Sequence, residues 1–136
     1  MNITRLFKPK DKEDTTSIKI DPEQMPEPSD LAGFVRRGWA YHSRKQEDLA
    51  EADFRRALAI DPRSVDASYG LGLILKAKGR KDEAINTFRK TLELIESGAV
   101  EDRTRAEMLR RLSLGHINEL SIGDWNLEEM VWHRRT

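Results

Sequence analysis

Residues 31–64 read LAGFVRRGWAYHSRKQEDLAEADFRRALAIDPRS, and residues 65–98 read VDASYGLGLILKAKGRKDEAINTFRKTLELIESG. The two stretches are one 34-residue unit written twice. The pairs that match outright include Gly38 and Gly72, Asp48 and Asp82, Ala50 and Ala84, and Phe54 and Phe88. A fixed period of this length indicates stacked pairs of helices, because a single unit cannot bury its apolar face alone.

The unit resembles the tetratricopeptide repeat (TPR) family, which usually has Trp, Leu, Gly, Tyr, Ala, Phe, Ala and Pro at eight places. The first unit has Phe34, Arg37, Gly38, Tyr41, Ala50, Phe54, Ala57 and Pro62 there. Only Arg37 differs in character. The second unit keeps Leu71, Gly72, Ala84 and Phe88 but departs at Ser68, Leu75, Thr91 and Glu96. The resemblance covers half of the chain and implies an all-α, right-handed solenoid of helical hairpins.

The repeat domain is therefore predicted over residues 31–136. It comprises two clear repeats, 31–64 and 65–98, and a degenerate third repeat or capping helix pair, 99–136. Asp30 and Ser64 are good N-caps for the first helix of each clear repeat.

Beyond residue 98 the consensus fades, although apolar residues keep helical spacing towards Leu120. We expect one long helix there and a short last helix from Trp125 to Arg135. The last helix of a solenoid exposes its apolar face unless something covers it, which favours a cap. The alternative is that Trp125 and Trp132 stay open and contact a second subunit in a homodimer.

Residues 1–30 are predicted to be a flexible, charged, proline-containing N-terminal tail. Four of the five prolines lie here, and the segment is too polar to offset its ordering entropy by burial. Two short apolar clusters, Ile3-Leu6-Phe7 and Ile18-Ile20, leave open that one of them docks on a groove or on a neighbouring chain.

Composition excludes several classes of protein. A formal net charge of zero argues against a general nucleic-acid or membrane-surface binder. The absence of cysteine removes disulfides, thiolate nucleophiles and cysteine-based zinc sites. No signal peptide or membrane span is evident, so a cytoplasmic location is expected.

No motif in the sequence predicts an enzyme, a cofactor or a metal site. The histidines, His42, His116 and His133, lack metal-ligand spacing, and no phosphate-binding glycine loop or nucleophile elbow occurs. Acidic pairs such as Glu47-Asp48 lie at helix starts, where they complement the helix dipole.

The resemblance also implies a binding surface, because the first helices of TPR repeats line a concave groove that takes extended or helical peptides. The corresponding positions here are Val35, Trp39, His42, Tyr69, Leu73, Lys76, Arg103, Glu107 and Arg110. The groove is then apolar and aromatic at one end and basic at the other. It lacks the Lys/Asn-rich carboxylate clamp of the chaperone-binding members of the family.

Trp39 has two interpretations: an exposed anchor for a ligand, or a side chain that packs on its neighbouring helix. The predicted function is a scaffold that binds a peptide or helix of another protein, with an apolar anchor and an acidic flank. The alternative is a self-associating structural unit, a homodimer formed through its last helices.

Overall fold

The computed structural model describes residues 21–125. Within these residues it contains no strand, a short 3-10 turn at Pro22–Gln24 and five α-helices. The helices are α1 Leu31–Ser43, α2 Glu47–Ile60, α3 Val65–Ala77, α4 Lys81–Glu96 and α5 Arg103–Ile122. The predicted all-α fold of helical hairpins is confirmed, and α1 to α4 form the two predicted repeats.

Side-chain caps begin the first helix of each pair. Asp30 accepts a hydrogen bond from the backbone N–H of Gly33, and Ser64 accepts one from Ala67. Asp102 does the same for α5 through the N–H of Arg105. These oxygens satisfy N–H groups that the first helical turn leaves without partners, so the three starts are set locally.

Two phenylalanine rings organise the core. Phe54 of α2 is fully buried, and its ring lies against both Gly38 of α1 and Gly70 of α3. A methyl group on Gly70 would stand only 2.5 Å from the Phe54 ring. Phe88 of α4 is likewise fully buried, with its ring against Gly72. Close approach of the helices thus depends on missing side chains, as expected where helix axes cross closely.

A buried ion pair joins α1 to α2. The Arg37 guanidinium donates two hydrogen bonds to the Asp53 carboxylate, at 2.8 and 2.9 Å. Asp53 is 2% exposed, which makes this a core interaction rather than a surface one. Hydrogen bonding to Asp53 raises the pKa of Arg37, so the guanidinium stays charged.

The described part of the predicted tail, residues 21–30, lies against the first repeat. Pro22 is buried, and the Glu27 carboxylate accepts a hydrogen bond from Arg37 at 2.9 Å. Residues 1–20 lie outside the described residues, as do residues 126–136, which include all of the predicted last helix except Trp125.

A second ionic cluster joins the two repeats. Glu51 of α2 accepts hydrogen bonds from Lys78 at 2.8 Å and from Arg80 at 2.9 Å, both near the turn between α3 and α4. Arg55 donates a further bond to Glu51 from its own helix. Burial alone would raise the pKa of Glu51, but the hydrogen bonds from Lys78 and Arg55 outweigh burial and lower the pKa to about 2.

We expect Glu51→Gln to destabilise the fold by about 2 kcal/mol at pH 7, the scale of hydrogen bonds to a charged group. The pKa of Glu51 is lower in the folded than in the unfolded chain, so its stabilisation is complete above pH 4.5 and is lost towards pH 2. Urea unfolding at pH 7, 5 and 3 should therefore show the variant and the wild type converging at low pH. The exposed Glu93→Gln on α4 is the control and should follow the wild type; a constant Glu51→Gln deficit at every pH contradicts the prediction.

Helix α5 departs from the repeat geometry. It begins at Arg103, four residues after position 99, where the 34-residue period places the start of a third unit (103 − 99 = 4). A second apolar cluster, formed by Val65, Leu94, Ile95 and Leu109, seats its first half. Gly123 then ends the helix in the left-handed conformation at φ 77°, which glycine adopts without steric cost.

Candidate peptide-binding face

The groove positions predicted on α1 and α3 correspond to each other in the repeat, and we call this set of residues the first-helix face. It consists of Val35, Trp39 and His42 on α1 and Tyr69, Leu73 and Lys76 on α3. Val35, Trp39, Tyr69 and Leu73 are partly buried and pack against the main core cluster. Each of these side chains thus packs on the core with part of its surface and keeps the rest exposed. A cleft of about 300 Å³ opens beside Val35 at the starts of α1 and α3.

Trp39 is held by aromatic contacts. Its indole meets the Phe54 ring edge-on, with centroids 5.1 Å apart, and lies 6.1 Å from the His42 ring. His42 is oriented in turn by the Glu47 carboxylate, 2.8 Å from its Nδ1. The packing contact considered for Trp39 is therefore present. Because the indole is only partly buried, its role as a ligand anchor stays a prediction.

On α3, Tyr69 and Lys76 converge on a residue of α5. The Tyr69 hydroxyl lies 3.1 Å from His116 Nε2, and Lys76 Nζ lies 2.9 Å from His116 Nδ1. Lysine can only donate, so Nδ1 must accept and the proton of the neutral ring sits on Nε2. The His116 ring also stacks on Phe88, with centroids 4.7 Å apart and an interplanar angle of 13°.

This environment keeps His116 neutral. Burial, and then the nearby Lys76 ammonium, lower the pKa of His116 to about 4. Lys76 is also 3.2 Å from Glu119, one turn further along α5. Burial likewise raises the pKa of Tyr69. The end of the first-helix face next to α5 is thus a hydrogen-bonded and stacked unit with fixed ring orientations.

The α5 residues predicted for the groove lie elsewhere on that helix. Glu107 and Arg110 form an ion pair at 2.9 Å, and Arg103 is exposed at the helix start. With 3.6 residues per turn, His116 and Glu119 project from roughly the opposite side of α5. The structure therefore brings together Tyr69, Lys76, His116 and Glu119, and it places Arg103, Glu107 and Arg110 apart from them.

Sequence reasoning missed His116 and Glu119 because it carried the 34-residue period into α5. The N-cap Asp102 is the signal that reveals the later helix start, since it plays the role of Asp30 and Ser64. Even with the start of α5 corrected by four residues, the sequence does not determine how far α5 is displaced along α3. It therefore does not determine which α5 residues meet Tyr69 and Lys76.

Trp125 follows α5 and folds back onto it. Its indole lies over Gly115 and meets the His116 ring edge-on at 4.8 Å. Lys76 Nζ lies 5.9 Å from the centroid of the same indole. Trp125 therefore sits at the end of the first-helix face, beside Lys76, which the sequence assigned to the groove.

Other kinds of site find no support between residues 21 and 125. No group of three or more His, Cys, Asp or Glu side chains in this range is arranged to hold a metal ion. None of the helices described is both long and apolar enough to cross a membrane.

Residues 35–99 match a family model described as tetratricopeptide repeat. Cellulose synthase operon protein C of Xanthomonas axonopodis pv. citri is 35% identical over 91 residues, which cover 67% of this chain and 6% of that protein. Small glutamine-rich tetratricopeptide repeat-containing protein 2 of Saccharomyces cerevisiae is 30% identical over 78 residues, 57% of this chain and 22% of that protein. A TPR repeat-containing protein of Methanocaldococcus jannaschii is 30% identical over 61 residues, 45% of this chain and 11% of that protein.

The chain thus spans less than a quarter of the length of each of these relatives, so the similarity concerns the repeats and not the whole proteins. No solved structure matches the chain significantly.

Proposed function

The chain belongs to the tetratricopeptide repeat family through residues 35–99, and from this premise we propose that it binds a peptide or helix of a partner protein on its first-helix face. Repeats of this family in general mediate protein–protein interaction. The observation that carries the proposal is the row of partly buried Val35, Trp39, Tyr69 and Leu73 across α1 and α3. A rigid aromatic side chain that keeps accessible area loses little entropy on binding, which suits an anchor contact.

An apolar or aromatic side chain of the partner is the main element that this surface would recognise. Trp39 is fixed by Phe54 and His42, so a ligand meets a preorganised indole instead of ordering one. The acidic flank expected from Lys76, Arg103 and Arg110 would add less. Lys76 and Arg110 each face a glutamate of the chain itself, and a partner carboxylate must compete with Glu119 or Glu107.

We expect Trp39→Ala to weaken peptide binding at least about tenfold, or 1.4 kcal/mol, at unchanged helicity. Peptides would be selected on the wild-type chain from a random display library and their dissociation constants measured by fluorescence anisotropy. The control is Leu49→Ala on α2, which truncates an apolar side chain that is 46% exposed outside the first-helix face.

Equal affinities of the wild type and folded Trp39→Ala, or a loss caused by Leu49→Ala, would place binding on another surface. A weak dependence of affinity on salt is expected as well, because the basic side chains nearby are already paired.

Self-association through the helices after residue 99 is the alternative. Among the residues that the structure describes, Trp125 does not favour it, because the indole packs on its own chain. Light scattering at several concentrations separates the two proposals, and we expect a monomer.

A further inference from the structure

The environment of Trp125 has the features of a binding subsite. Gly123 reverses the chain after α5, and the Trp125 side chain then lies on Gly115, where a methyl group would overlap the indole. The indole meets the edge of His116 and the ammonium of Lys76, which supply edge-to-face and cation–π contacts. Gly115 thus forms the floor under the indole, His116 forms one wall, and Lys76 supplies a cation.

The wall of this subsite is rigid without Trp125. His116 is stacked on Phe88 and hydrogen-bonded on both nitrogens, to Tyr69 and to Lys76. Three contacts that do not involve the indole therefore fix the His116 ring. A fourth, between Lys76 and Glu119, fixes the Lys76 ammonium. A preformed site of this kind can receive an aromatic ring from another molecule at low entropic cost.

Trp125 occupies the subsite incompletely. It is 36% exposed, whereas the core rings of Phe54 and Phe88 are fully buried. Lys76, which contacts the indole, and Tyr69, which contacts His116, belong to the first-helix face. An indole at this place covers the surface that a ligand on that face would reach next.

We propose that the first-helix face ends in a subsite for one aromatic side chain of a partner, and that Trp125 fills this subsite in the free chain. The inference rests on the proposed function and specifies the partner: a peptide with an aromatic residue, best an indole, that displaces Trp125. Gly115 provides the seat, His116 the edge contact and Lys76 the cation. Because Trp125 is tethered to the site, it competes at a high effective concentration.

The expected size of the effect follows from occupancy. A ligand that binds only the vacant subsite has its apparent affinity reduced by the vacant fraction. If Trp125 occupies the subsite about nine-tenths of the time, removing it strengthens ligand binding about tenfold. The change should leave helicity intact, because Trp125 lies outside α1 to α5.

The test uses the full chain and a synthetic probe, the fluorescein-labelled peptide SIGDWNLEE, which has the sequence of residues 121–129. Fluorescence anisotropy compares the wild type, Trp125→Ala, and Trp125→Ala combined with Gly115→Ala. We expect Trp125→Ala to bind the probe about tenfold more tightly than the wild type. Gly115→Ala should abolish that gain by filling the seat of the indole, although alanine favours the helix more than glycine does. A probe with alanine in place of tryptophan should not bind.

Equal binding to the wild type and Trp125→Ala overturns the inference, as does tight binding that persists with Gly115→Ala or an absence of binding to all three chains. Circular dichroism identifies any variant that fails to fold, and Trp125→Gln, which also removes the aromatic ring, then replaces Trp125→Ala. The display-selected peptides tested on Trp39→Ala keep the two proposals distinguishable. If binding of the selected peptides depends on Trp39 and the probe does not bind, only the aromatic subsite is wrong. If binding of neither the selected peptides nor the probe depends on the first-helix face, the proposed function fails.

Discussion

Replacing Arg37 with leucine should lower the free energy of unfolding by about 3–5 kcal/mol, although leucine is the residue that the family usually has there. The loss arises at the partner. Asp53 is 2% exposed and receives two hydrogen bonds from the guanidinium, so leucine leaves a buried carboxylate without its counter-charge. A small repeat protein would lose most of its stability by this change.

Urea unfolding of single and double variants isolates the cause. Adding Asp53→Ala to Arg37→Leu removes the stranded charge, and we expect the double variant to recover most of the loss, since apolar replacement of a buried ion pair is often neutral. Glu27→Gln is the matched control, because Glu27 pairs with the same guanidinium from an exposed position. It should change stability by less than about 1 kcal/mol. A double variant less stable than Arg37→Leu alone would show that the pair is not the source of the effect.

This ion pair shows what a repeat pattern can and cannot predict. Arg37 could be recognised as a departure from the family because the repeat pattern compares residues at equivalent positions of each unit. Its partner lies sixteen residues away on the other helix of the same repeat, and nothing at the equivalent place in the second repeat points to Asp53. Periodicity therefore predicted the helices and the core glycines well, but it did not predict a contact that occurs once.

The same limit of periodicity explains why His116 and Glu119 of α5 were not predicted from the sequence. The period predicts which residues of α1 and α3 are equivalent, because α3 begins 34 residues after α1 (65 − 31 = 34). The linker before Asp102 is longer, and from that point the position of each side chain depends on packing. His116 meets Phe88, Tyr69 and Lys76 through contacts that span 28 to 47 residues (116 − 88 = 28; 116 − 69 = 47), which no local pattern in the sequence encodes.

Phe54→Ala should cost about 3–5 kcal/mol, the range for removing a fully buried aromatic ring. The ring fills the space between two helices of successive repeats, α1 and α3, so the cavity opens at the contact between repeats. We expect cooperativity to weaken along with stability, with a lower urea dependence of unfolding than in the wild type. Leu49→Ala on the exposed side of α2 is the control and should have little effect.

The Phe54 ring also determines what a methyl group does at Gly70. In the wild type, Gly70→Ala should destabilise the fold by about 1–3 kcal/mol, because the added carbon would stand 2.5 Å from a ring that the core holds in place. In the Phe54→Ala background that ring is gone. The same substitution should then stabilise the fold by about 1 kcal/mol, since alanine favours the helix over glycine and fills part of the cavity.

A reversal of sign between the two backgrounds is the expected result of this double-mutant cycle, because the steric conflict needs both partners. Gly79→Ala serves as the reference for glycine substitutions without such a conflict. No atom lies near its missing side chain, and its cost comes from the left-handed backbone at φ 76° alone, so it should be equal in both backgrounds. If Gly70→Ala destabilises both backgrounds equally, its cost has a source other than Phe54, and the close packing of that ring between Gly38 and Gly70 does not set the spacing of the repeats.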